Sequence, residues 1–196
     1  MIAEPLAALW AIERLPELGP GKPNESARAA LAALTPETVF PTLRNREAAL
    51  ACISGTWLYH DFLDESHTIS QDLSEWFGSY WHGIMHRREP DASNSKYWFQ
   101  RVGPNDVYVS LANNLGLKKW DPFAFVDECE RTRGTGTDDE ERARRTQLAE
   151  MRLLLEWCFG EAVGGWRLSK SGAVTEGIIE SLLVPALSSQ TISEST

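Results

Sequence analysis

Residues 140–163 read EERARRTQLAEMRLLLEWCFGEAV, and this stretch decides the fold class. Leu148, Met151, Leu155 and Phe159 recur at helical spacing on one face. Glu/Arg pairs one turn apart occupy the other. Gly164-Gly165 stops the pattern, and a flexible Gly134-Thr-Gly-Thr-Asp-Asp linker precedes it. The stretch predicts one long amphipathic helix. An apolar stripe of that length must be buried against other helices.

Working outward, the same periodicity recurs almost everywhere. Leu6, Leu9, Trp10, Ile12 and Leu15 predict a helix over 3–17, ended by Gly19-Pro20. Asn24-Glu25-Ser26 caps a second helix carrying Ala30, Leu31 and Leu34, which Thr35-Pro36 closes. A third helix is expected from Arg46 to Ser66, weakened by Gly55, and a short one begins at Ser70. Further helices are expected over 78–88, 94–102, from Pro104-Asn105 to Gly116, over 123–131 and over 171–185. No alternating apolar run demands a sheet. The expectation is an all-α protein, an irregular multi-helix array of about seven to nine helices. One helical domain over 1–187 would carry a flexible C-terminal tail over 188–196.

Composition narrows the function. A net charge of −9 and a pI near 5.0 argue against nucleic acid and against an anionic membrane surface. No apolar run reaches the ~20 residues of a membrane span. The first residues have no basic segment of the signal-peptide kind. Cys52, Cys129 and Cys158 are odd in number and lack CxxC spacing, which fits reduced, buried thiols. A cytoplasmic protein acting on a small molecule is expected.

All four histidines lie between His60 and His86, among carboxylates. On ideal helices His60, Asp64 and His67 share one stripe, and His82, His86 and Glu89 share another, at i, i+4 and i+7. If the stripes face each other, imidazole and carboxylate donors converge. Such a set suits a divalent metal: zinc, iron, manganese or nickel. The expected metal ligands are His60, Asp64, His82, His86 and Glu89. Glu65 is a candidate general base, His67 a further catalytic or ligating group, and Arg87 or Arg88 a bidentate substrate anchor. Trp57, Trp81 and Trp98 are candidate pocket walls.

Two family resemblances bear on this pattern. His60-Asp61 is similar to the HD pair of the metal-dependent phosphohydrolases, which also use an upstream histidine. None precedes His60, so the resemblance covers two residues. Asp64-x-x-His67 resembles in ligand type the Glu-x-x-His of ferritin-like di-iron bundles, whereas His86-x-x-Glu89 runs in the reverse order. Neither supplies an assignment. The sequence points to a metal-dependent, hydrolase-like enzyme for a small polar substrate. The alternatives are a metal-free module for a sugar-like or aromatic ligand and a structural or interaction helical protein.

Overall fold

The computed structural model describes residues 4–164. The described residues are all-α, with ten α-helices and no strand, slightly more helices than expected. They are α1 Glu4–Trp10, α2 Arg28–Ala32, α3 Pro36–Val39, α4 Arg46–Tyr59, α5 Leu63–Ser70, α6 Trp76–Arg88, α7 Ala92–Val102, α8 Asp106–Asn114, α9 Pro122–Thr132 and α10 Asp138–Val163, with one 3-10 turn at Glu25–Ala27. The expected helix over 171–185 and the tail over 188–196 lie outside the described residues. No helix among those described is long and apolar enough to cross a membrane.

The long helix α10 is present as expected. Thr137 caps it by accepting from Glu140 N, and Gly164 ends it in the left-handed conformation at φ 72°. Its apolar face packs on α4, and Met151, Leu154, Leu155 and Cys158 join the main core. A smaller cluster forms around Leu111, Trp120, Phe125 and Cys129. All three cysteines are buried.

The expected helix over 46–66 is in fact two. α4 ends at Tyr59, His60 caps it, and Asp61 follows with φ 67°. A non-glycine residue in that region costs on the order of 1–3 kcal/mol unless its surroundings hold it there. Here they do: Arg14 and Arg88 both pair with the Asp61 carboxylate. Gly21 faces that carboxylate so closely that a Cβ would collide with it. α5 then leaves in a new direction, so His60 and His67 no longer share a helical face.

Other departures have equally local causes. Gly55 does not weaken α4. It makes room for the Trp81 ring of α6, which a Cβ would strike. Thr35-Pro36 opens α3 through a reciprocal bond with Thr38 instead of closing α2. α1 stops at Trp10, and residues 11–24 form an irregular strap across the core. Donors from elsewhere hold the strap by its carbonyls. Arg88 Nε donates to Glu17 O at 3.0 Å, Gln147 Nε2 to the same oxygen at 3.0 Å, Arg133 Nε to Leu18 O at 3.2 Å and Arg144 Nε to Pro16 O at 3.3 Å.

Candidate metal centre

Three helices meet at the candidate site. α5 brings His67, α6 brings His82 and His86 one turn apart, and α7 brings Asn94 and Trp98, also one turn apart. The α6–α7 hairpin is tight because Asp91 caps α7 by accepting from Asn94 N at 3.1 Å. Ser95 Oγ ties α7 back to the Gly83 carbonyl at 2.7 Å. This pairing fixes Asn94 and Trp98 against the two α6 histidines.

Each of the three imidazoles offers one nitrogen, and those nitrogens all lie within 4.8 Å of one another. His82 Nε2 and His86 Nε2 are 2.9 Å apart, with their rings stacked at 4.7 Å. His67 stands edge-on to both, at 4.7 and 5.4 Å between centroids. The Glu89 carboxylate accepts from His86 Nδ1 at 3.0 Å. That bond places the His86 proton on Nδ1 and leaves Nε2 with a free lone pair. Asn94 Nδ2 donates to this Nε2 at 3.1 Å. Trp98 lies flat over His82, closing its other side.

The electrostatics favour neutral rings at His82 and His86. Burial pushes the His82 pKa down to about 3, helped by the neighbouring His86 and His67, with the Ser70 backbone opposing. Burial likewise lowers His86, although Glu89 pulls against it. Uncharged imidazoles near neutral pH present lone pairs, the state a metal ion requires. A tetrahedral ion at about 2.0–2.1 Å from each nitrogen needs nitrogens about 3.3 Å apart. His82 Nε2 and His86 Nε2 are already somewhat closer than that, and all three nitrogens lie within 4.8 Å.

The structure separates the other expected ligands from this group. His60 is fully buried near α1, with Nε2 3.1 Å from the Leu9 carbonyl and Nδ1 3.0 Å from Asn24 Nδ2. The turn at Asp61 is the reason. Asp64 is exposed on the outer side of α5. Glu65 lies two residues before His67, roughly 200° around the helix. It pairs with Arg28 at 2.7 Å rather than facing the imidazoles. Glu89 reaches the cluster through His86 instead of as one of the three converging groups.

Arg87 and Arg88 are fully buried and engaged, so neither is positioned to anchor a substrate arriving from solvent. Arg87 pairs with Glu150 at 2.6 Å, and Arg88 pairs with Asp61 and donates to the Leu58 carbonyl at 2.7 Å. Trp57 packs edge-on to Phe62 in the core, and Trp81 fills the notch at Gly55. Of the three expected pocket tryptophans, Trp98 alone touches the histidines. Sequence reasoning passed over Asn94. Its spacing of four residues before Trp98, on a helix capped by Asp91, was the available signal. No protein-family model, curated protein or solved structure matches the chain.

Proposed function

We propose that the chain is a metal-dependent, hydrolase-like enzyme in which His67, His82 and His86 hold one divalent transition-metal ion. The observation that carries this reading is the convergence of three ring nitrogens from two helices within 4.8 Å. Glu89 supports it by fixing the tautomer that aims His86 Nε2 at the common point, as carboxylates commonly do for metal-bound histidine. An ion held by His67, His82 and His86 would supply a bound water of lowered pKa as nucleophile. Arg101, stacked 5.3 Å over Trp98, is the cation best placed to meet an anionic part of a small polar substrate.

The test is metal analysis of tag-free protein, followed by zinc titration and an assay with activated esters and phosphoesters. One ion per chain and metal-dependent hydrolysis are expected, both lost in His82→Ala. Substoichiometric metal, unchanged after adding zinc, iron, manganese or nickel, overturns the metal reading.

A second reading is favoured by the bonds to His86 Nε2. Asn94 and His82 already surround that atom, so the cluster has partners without an ion. The site would then be a metal-free pocket or a structural network. Under it, His82→Ala lowers stability and leaves metal content unchanged.

A further inference from the structure

The end of α7 and the starts of α8 and α9 line a broadly open cleft of about 770 Å³. This volume falls within the range of small-molecule sites, about 300–1,000 Å³. Phe99, Tyr108, Val109, Trp120 and Phe123 supply apolar walls, and Lys118 and Lys119 stand at the rim. We propose that this cleft is a second binding site, for a small flat apolar molecule bearing one anionic group.

Two residues of the lining carry a buried donor without a partner. Trp120 is 5% exposed, and its Nε1–H has no acceptor. The Tyr108 hydroxyl is also buried without a partner, and burial pushes its pKa up, so it keeps its proton. A buried donor left unmade costs on the order of 1–3 kcal/mol, so unpaired ones in a native structure are few and ask for an acceptor. An indole N–H can only donate, so the missing group must carry an accepting atom.

The charges at the rim select the sign. Lys118 and Lys119 are exposed and form no ion pair among the described residues. Asp121 is occupied in capping α9, accepting from Phe123 N and Ala124 N. Asn105 caps α8 through Tyr108 N. Asp106 and Asp121 equal the lysines in number, but Asp121 is turned onto the α9 amides, which leaves Asp106 as the one carboxylate not so engaged beside two lysines without an ion-pair partner.

The probe is anilinonaphthalene sulfonate, compared with its uncharged relative N-phenylnaphthylamine, on the full chain. Saturable one-to-one binding of the sulfonate is expected. Lys118→Ala with Lys119→Ala should weaken the sulfonate about tenfold and leave the neutral dye unchanged. Val109→Trp should abolish both, and Trp120→Phe should weaken the sulfonate about tenfold and leave the neutral dye, which has no acceptor for the indole N–H, largely unchanged, with the helical circular dichroism of every variant preserved. Binding that does not saturate, or that survives Val109→Trp, overturns the proposal. So does indifference to the lysines. Protein stripped by a chelator should bind the sulfonate equally well, so this site stands or falls separately from the histidine centre.

Discussion

Trp98 lies parallel to His82, with ring centroids 4.0 Å apart and planes 15° from each other. The indole holds one face of that imidazole while His86 meets it on the side of Nε2. His82 is therefore locked in orientation before any ligand arrives. Trp98→Ala should weaken zinc binding about tenfold, measured by competition with a chromophoric chelator, because the ring would no longer be held in register. Trp98→Phe should retain most of the affinity.

Glu89 provides a separate check. Glu89→Gln keeps the shape of the side chain but removes the charge that sets the His86 proton on Nδ1. Zinc affinity should fall about 10–100-fold, as such partners commonly contribute. The same competition assay reads it. An unchanged affinity would show that His86 orientation does not depend on the carboxylate.

The histidines also predict how the metal-free protein responds to acid. His82 titrates at about 3 when folded, against 6.5 for an unperturbed imidazole. In that window the unfolded chain binds more protons than the folded one, so stability rises with pH. The contribution is complete above about 6.5 and is lost as pH falls toward 3. Urea midpoints should therefore drop between pH 7 and pH 5 in the native chain and drop less in His82→Phe.

The turn at Asp61 gives a larger effect. Removing one member of a buried ion pair commonly costs about 3–5 kcal/mol. Arg88→Met should destabilise by that order, since it also frees the Leu58 and Glu17 carbonyls. Asp61→Asn should cost less than Asp61→Ala, because asparagine tolerates positive φ. Denaturant unfolding orders the three.

Gly55→Ala tests the α4–α6 approach. A methyl there meets the Trp81 ring, and overpacking of this kind costs about 1–3 kcal/mol. Pairing it with Trp81→Phe should recover part of the loss, read as a thermal midpoint above that expected from adding the single effects.

Fold class was legible because helical periodicity is local: the residues that make α10 amphipathic are neighbours in the chain. The caps at Asp121 and Asn105 were readable for the same reason. The break at Asp61 was not, since nothing near it in sequence reveals Arg14 and Arg88 arriving from 47 and 27 residues away. That one turn decided which histidines meet. It removed His60 and left His67 beside the α6 pair, and it also turned Glu65 toward Arg28. His82, His86 and Glu89 kept their expected proximity because α6 needed no distant information. Burial of Arg87 and Arg88 was equally hidden, as charge alone reads as surface.

Between its ends, the strap over 11–24 is held by its carbonyls and side chains and not by its backbone amides. Its carbonyls are taken by Arg88, Arg133, Arg144 and Gln147. Among the described residues, no backbone N–H from 12 to 23 donates to a backbone carbonyl. Position and protection are thus uncoupled in this segment. Its amides should exchange with deuterium early although its path is fixed, while α4 and α10 beneath it exchange late. Guanidinium salts, which compete for the same carbonyls as the arginines, should loosen it ahead of the rest.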